Sequence, residues 1–389
     1  MKQFRLYILF AFLSMLCVPS SLWAQEFIEK ITDFFEFDIS KHDPLDTTRF
    51  VNKVVLAPVA SYEPTTSLGF GVGAKLLFKF RGSGEETRTS NIPLSVQYTL
   101  KNQFIFWSGY TVFFNQEKWL LKGNLIYSKF PVSYYGNGSL SDESDKLEIS
   151  SENLLIEPLL LKRVAPDLFI GGGIRYNTIY NTFLTEEKGE LMEGTSLQDE
   201  LGSTSVGIEL AATYDSRDNV LNAATGNFLE FTHGFYDKML GGTHRFMLSR
   251  LDFRQYFKMN PESEDILALH WYGRFAWDDA PPLEMSALGG PELLRGFQDD
   301  RFRDRVALFF QAEYRWQTFD RIGFVFFGGV GDVKEKVQEL QISNLKYSLG
   351  TGLRLKIVKS ENLNIRLDYA FGLGPVRDSN FYLGIAEAF

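Results

Sequence analysis

Four histidines, His42, His233, His244 and His270, are the first residues in which chemistry would be sought, and their spacing offers none. A metal site needs ligands that one element presents together, as in His-Glu-x-x-His, and no such pair occurs. Gly69, Gly71 and Ala74 match a loose dinucleotide pattern, but they fall in an alternating strand with no helix behind it to receive a pyrophosphate. The acidic pairs Asp278–Asp279 and Asp299–Asp300 read as solvated loop charge. Asp215 to Gly226 is rich in Asp and Asn but lacks the alternate acids and sixth-position glycine of a calcium loop. The single cysteine, Cys17, lies in the N-terminal apolar run, which leaves the rest of the chain without thiol or disulfide chemistry. No catalytic constellation, metal site or cofactor is expected. Two stretches carry more information. One is Leu288-Gly289-Gly290-Pro291-Glu292-Leu293-Leu294-Arg295-Gly296-Phe297. The other is Tyr214-Asp215-Ser216-Arg217-Asp218-Asn219, closing at Thr225-Gly226.

The elements that hold these stretches follow from periodicity. Leu68, Phe70, Val72, Ala74, Leu76, Phe78 and Phe80 alternate with glycines and lysines, and Leu363, Ile365, Leu367, Tyr369 and Phe371 alternate with Asn364, Arg366, Asp368 and Ala370. Period two is the signature of a strand with one apolar face. Sixteen such segments can be counted: 51–60, 68–80, 91–100, 104–114, 119–129, 152–164, 168–180, 203–215, 227–237, 243–258, 265–278, 305–316, 321–331, 345–358, 362–371 and 381–389. Segment 243–258 breaks its alternation midway, which suggests a bulge. Aromatic residues make up 15% of the chain while mean hydropathy is only −0.13, so a bundle of membrane helices is excluded. No stretch after the N-terminal run reaches the ~18 apolar residues of a spanning helix. Short connections follow even segments, as at 115–118 and 165–167, and long ones follow several odd segments, as at 130–151, 181–202 and 279–304. A sandwich has no reason to sort its loops in this way. A membrane barrel does, with turns on one side and loops on the other.

The fold expected is therefore all-β: a transmembrane antiparallel β-barrel of sixteen strands over 51–389. Ahead of it, Lys2 and Arg5, an apolar run from Leu6 to Val18 and a small residue at Ala24 read as a signal peptide over 1–24. Residues 25–50 form a short periplasmic segment in which Phe27, Ile31, Phe34 and Phe35 have helical spacing. A net charge of −9 gives no reason to expect nucleic acid as a partner.

With these positions in hand, the chain resembles the BamA/TamA superfamily of outer-membrane assembly and translocation barrels, the bacterial surface antigen family. That family carries a Gly-Gly…Arg-Gly-Phe loop between strands eleven and twelve and an Asp-x-Arg-Asp-Asn…Gly turn between strands eight and nine. Gly289, Gly290, Arg295, Gly296 and Phe297 stand at the first place; Asp215, Arg217, Asp218, Asn219 and Gly226 stand at the second. Ala312-Glu313-Tyr314-Arg315, Gly350-Thr351-Gly352-Leu353-Arg354, Arg366-Leu367-Asp368-Tyr369-Ala370 and a terminal Phe389 are similar too. The resemblance implies that the loop folds into the lumen, where Arg295 meets acids on strands twelve and thirteen. A guanidinium there needs carboxylate partners to offset its lost hydration. Glu313, whose parity faces inward beside Gln311 and Arg315, is the strand-twelve acid. On strand thirteen the family aspartate is replaced by Gly329, so either Glu313 holds Arg295 alone or Asp332 serves from nearer the loop.

The resemblance further implies a location in the outer membrane of a Gram-negative cell, contact with outer-membrane lipid, and a non-enzymatic role in inserting or translocating proteins or lipids. Phe389 would end the signal by which the barrel assembly machinery receives this chain as a client. The periplasmic POTRA domains usual in the family have no room before strand one, so recruitment would fall to a periplasmic or lipoprotein partner. The rival readings are a passive channel for small solutes and a structural or interaction barrel using its outer loops.

Overall fold

The computed structural model describes residues 36–38 and 52–389, apart from 64–66, 85–86, 101, 142, 188–189, 221, 261, 320, 359–362 and 386. The expected signal peptide and the helical spacing expected at Phe27, Ile31, Phe34 and Phe35 lie outside those residues.

Among the described residues, sixteen long strands form one antiparallel meander. They are β1 (Lys53–Glu63), β2 (Ser67–Phe78), β3 (Ser90–Thr99), β4 (Phe104–Phe114), β5 (Trp119–Tyr134), β6 (Leu147–Ala165), β7 (Leu168–Glu187) and β8 (Ser203–Asp215). They continue as β9 (Gly226–Tyr236), β10 (Phe246–Lys258), β11 (Ile266–Asp278), β12 (Val306–Gln317), β13 (Ile322–Lys334), β14 (Lys346–Val358), β15 (Leu363–Leu373) and β16 (Asp378–Ile385). Each pairs with the next in sequence. The first and last come side by side, with Cα atoms within 8 Å. A short strand, Glu36–Asp38, pairs with Lys53–Val55 on the edge of β1 that β2 leaves free.

The polarity of the wall is inverted relative to a water-soluble sheet. On β8 the side chains of Glu209, Thr213 and Asp215 point inward and are buried, while outward Ile208 and Leu210 are 51% and 56% exposed. The same alternation puts Phe231 and Phe235 of β9 outside and Glu230 and Thr232 inside. An apolar exterior around a charged interior is the polarity of a barrel wall set in hydrocarbon.

The structure departs from the alternation pattern in three places. Strands β5, β6 and β7 run well past the membrane-length segments into a tall hairpin set, and within the expected 181–202 loop Glu190–Ser196 pairs back onto β7. The suggested bulge in 243–258 is absent: β10 begins at Phe246 and keeps an unbroken register with both neighbours. What interrupted the pattern is Ser249, an outward polar residue whose hydroxyl meets His233 Nδ1 at 2.8 Å on the adjoining strand. A satisfied polar pair needs no bulge. Finally, the last strand ends at Ile385, because the chain beyond it turns inward instead of continuing the wall.

Candidate functional site

The connection from β11 to β12, residues 279–305, folds back into the barrel. Its own hairpin, Ser286–Leu288 against Phe302–Asp304, gives it a rigid base. Leu288, Leu294, Phe297 and Phe302, all fully buried, pack with Ala307, Phe309 and Val333 of the wall. This small core anchors the loop through apolar burial, worth about 1.5–3 kcal/mol for each large side chain fully removed from water. Phe297 and Phe302 meet edge to face at 5.0 Å.

Glycines allow the backbone to lie flat against the wall. Gly296 has φ +108°, and a Cβ there would come within 2.4 Å of the backbone nitrogen of Gly372 on β15. Gly372 is its counterpart: a Cβ on it would strike the Phe297 ring at 2.6 Å. In this close fit, the Gly296 N–H donates to the Tyr382 hydroxyl at 2.9 Å. That hydroxyl donates in turn to the Phe297 carbonyl at 3.0 Å, and Asn380 Nδ2 donates to the Gly296 carbonyl at 2.9 Å. Gly289 and Gly290 also have positive φ, and a Cβ on Gly289 would stand 2.1 Å from the Gln298 carbonyl oxygen.

Arg295 sits at the centre and is fully buried. Its guanidinium donates to Glu313 of β12, to Asp368 of β15 at 2.7 Å and, more weakly, to Gln311 at 3.4 Å. It lies over the Phe327 ring of β13, 3.5 Å from the centroid. Two carboxylates on separate strands therefore clamp one cation against an aromatic floor, a geometry in which charge-assisted bonds offset desolvation. Both acids have further partners: Glu313 accepts from Arg315 Nε at 3.1 Å and Asp368 from Arg354 at 2.5 Å. Arg354 also reaches Glu387 at 2.6 Å, and Arg315 donates to the Phe389 carbonyl at 2.9 Å. The result is one continuous network joining the loop, β12, β14, β15 and the last residues of the chain.

The structure brings Arg295 and Glu313 together, but the second acid differs from both alternatives drawn from the sequence. Glu313 does not act alone, and Asp332 is engaged elsewhere, with Lys346 at 2.6 Å and with Ser139. Asp368 takes the place, from β15. The reason is steric as well as electrostatic. A side chain at Gly329 would crowd Phe309 and Gln311 at 3.0 and 3.2 Å, so strand thirteen supplies an aromatic floor and β15 the charge. The inward parity of Asp368 beside outward Leu367 and Tyr369 was the available signal.

The second motif is a turn between β8 and β9, closed by its own residues and touched from outside by Arg88, which donates to the Asp215 carbonyl at 2.9 Å, and by Arg315, which donates to Asn222 Oδ1 at 3.4 Å. Arg217 grips Asp215 with two bonds, at 2.8 and 2.9 Å, and covers Phe228 at 4.6 Å. One oxygen of Asp218 accepts the N–H groups of Asn219, Ala224 and Thr225 at 2.9, 2.9 and 3.2 Å. Gly226, at φ +98°, closes the turn where a Cβ would come 2.3 Å from the Ser216 carbonyl. Asn219 contributes its Oδ1 to the N–H of Asn222 at 3.3 Å.

Phe389 does not lie on the outer face. It is buried against the inward residues Tyr256, Ala268 and Ala223, stacked on His270 at 4.9 Å. Ala223 belongs to the Asp215–Gly226 turn, so the end of the chain rests on the second motif while Arg315 holds it to the first. Neither motif contains a nucleophile–base pair, and no group of three or more His, Cys, Asp or Glu residues suited to a metal ion occurs among the described residues.

These positions can now be set beside known proteins. The Omp85 superfamily domain matches residues 70–389. BamA from Haemophilus ducreyi lacking POTRA domains 1–3 is similar in structure, with a TM-score of 0.55 at 14% identity, covering 92% of this chain and 76% of that one. CdiB from Acinetobacter baumannii gives 0.56 at 14% identity, covering 86% of this chain, which spans 59% of CdiB. No curated protein sequence matches the chain. At such identity the two structures speak for the fold, and the domain match speaks for descent: the chain belongs to the Omp85 superfamily.

Proposed function

We propose that this barrel resides in the outer membrane and assists the insertion or translocation of proteins, or of lipids, without catalysing a reaction. The observation that supports this reading is the loop clamped inside the barrel by Arg295 between Glu313 and Asp368. A pore for solutes is served by an open lumen. Here the long-loop end is filled by a packed loop whose every fully buried apolar residue would be lost to water if the passage stood open. Below the loop lies a polar chamber of about 420 Å³ with paired charges such as Lys122 with Glu230 and Arg254 with Asp252. Its contents of both signs suit water and a passing polypeptide better than selection of one ion.

A periplasmic or lipoprotein partner would supply client recruitment. Phe389 would have its role as a recognition signal for the barrel assembly machinery before folding, since the folded chain buries it. Reconstitution tests the reading: vesicles of phosphatidylethanolamine and phosphatidylglycerol carrying the mature protein should fold an added urea-denatured eight-stranded outer-membrane barrel faster than empty vesicles. Equal rates, together with large steady conductance in a planar bilayer, would favour the passive channel instead.

A further inference from the structure

The outer wall of β10–β13 carries a groove that neither the lumen loop nor the strand edges account for. Gly273 of β11 stands at an outward position, between Trp271 and Phe275 and opposite Leu308 of β12. A glycine there adds no side chain of its own to the aromatic and aliphatic face, and its neighbours lean over it: a Cβ would meet Phe275 at 3.1 Å and Leu308 at 3.3 Å. Over this low stretch of wall, between Trp271, Phe275, Leu308 and Phe310, lies a space of about 470 Å³ roofed by Leu340 and Ile342 of the β13–β14 connection. Ile342 begins a short 3-10 turn and is 83% exposed, although it belongs to a loop at the long-loop end of the barrel. With Leu340 and Leu345 it carries the apolar lining of the groove up to the loop.

We propose that this groove is a binding site for one acyl chain of an outer-leaflet lipid, held between the wall at Trp271, Gly273 and Leu308 and the Leu340–Ile342 roof. The inference rests on the membrane location proposed above and goes further, to a seat for one chain on one flank. The occupant follows from chemistry and position. The groove is lined almost entirely by carbon, is continuous with the apolar exterior that includes Leu251 and Trp277, and lies in the half of β11 nearer the long loops. Its volume falls in the range of ordinary ligand pockets, roughly 300–1,000 Å³. The roof carries charges of both signs, Lys334 and Lys336 with Glu335 and Glu339, so the groove selects the tail and not a particular headgroup.

The test is photo-labelling. The protein is placed in phosphatidylethanolamine–phosphatidylglycerol nanodiscs containing a little phosphatidylcholine with a diazirine on one acyl chain, irradiated, and the adducts are mapped by mass spectrometry. Adducts at 271–275 and 308–310 should exceed those at Leu210, Leu229 and Phe231 on the β8–β9 flank several-fold, and unlabelled lipid should compete for the excess. Gly273→Phe, which pushes a ring up into the floor of the groove, and Ile342→Ser, which leaves the wall intact, should each bring the excess down to the level of the other flank. Both variants are to be checked for the heat-dependent gel shift of a folded barrel. Even labelling of the two flanks would overturn the groove while leaving the membrane reading standing. Absence of labelling on either flank would overturn both.

Discussion

The two motifs in this chain are built on opposite plans. In the turn between β8 and β9, Asp215 and Arg217 are two residues apart, and Asp218 caps N–H groups no more than seven residues away. In the lumen loop, Arg295 meets Glu313 eighteen residues on and Asp368 seventy-three residues on, while Gly296 rests on β15 and β16. The turn is closed mainly by local bonds, though Arg88 and Arg315 touch it from far along the chain. The loop has its conformation only once the barrel supplies its walls. What differs is how far a perturbation should travel: damage to the turn should be felt in the turn and, through Ala223, at Phe389, whereas damage to the loop spreads through a network spanning β12, β14 and β15.

The largest effect should come from Arg295→Ala. It removes the centre of a buried cluster, typically about 3–5 kcal/mol when a buried charge pair is broken. Limited proteolysis should then cut within 279–305 in folded protein, where wild type resists. Glu313→Ala or Asp368→Ala should each cost less, about 1.5–3 kcal/mol for a bond to a charged group, because the other acid still holds Arg295. Combining either acid variant with Arg295→Ala should be far less than additive in urea unfolding. Full additivity would mean that the acids serve Arg315 and Arg354 and leave the loop unanchored.

The next effect compares two glycines of nearly equal strain. Gly296→Ala and Gly226→Ala both place a Cβ on backbone with φ near +100° and against a neighbouring main-chain atom. Each should cost about 1–3 kcal/mol from strain of that kind. Only Gly296→Ala should expose the loop to protease, whereas hydrogen exchange in Gly226→Ala should quicken in 215–226 and not in 279–305. Matching exchange patterns would erase the distinction between local and dispersed motifs.

Asp218→Ala should be smaller still, about 0.5–2 kcal/mol as for the loss of a backbone cap, and confined to the same turn. The smallest effect is expected from acid. Burial alone would push Glu284 up, but the Arg175 charge, the Arg175 hydrogen bond at 2.9 Å and that of Asn177 at 2.6 Å hold it below its ordinary value of 4.5. A carboxyl with a depressed folded pKa stabilises fully above its unfolded pKa and loses that contribution as pH falls through the folded one. Loop protection should therefore be flat from neutrality to about pH 5 and weaken below it. Glu284→Gln should remove that part of the acid dependence, as proteolysis with an acid-stable protease would show.

The sequence made the strands legible because a barrel wall alternates strictly: what faces hydrocarbon must be apolar, and what faces the lumen must be small, polar or charged. Strand ends were less visible, because β5–β7 keep pairing beyond the membrane span, where both faces accept polar residues. Ser249 obscured one strand because pairing with His233 cannot be read from either residue alone. The candidate site divided along the same line as the motifs. Asp215–Gly226 could be located as a unit, since the bonds that close it join near neighbours. The partner of Arg295 on β12 was reached through parity. Asp368 was passed over because nothing in the spacing of residues 295 and 368 shows that β15 curves round to face the loop.

Planar-bilayer conductance of wild type and Arg295→Ala, both refolded and shown to be heat-modifiable on gels, tests most directly whether the loop closes the barrel through this arginine. Small, flickering conductance in wild type and large, steady conductance in the variant is the expected result. Equal conductance in the two proteins would contradict it, and the loop would then be held by Leu288, Leu294, Phe297 and Phe302 without help from the clamp.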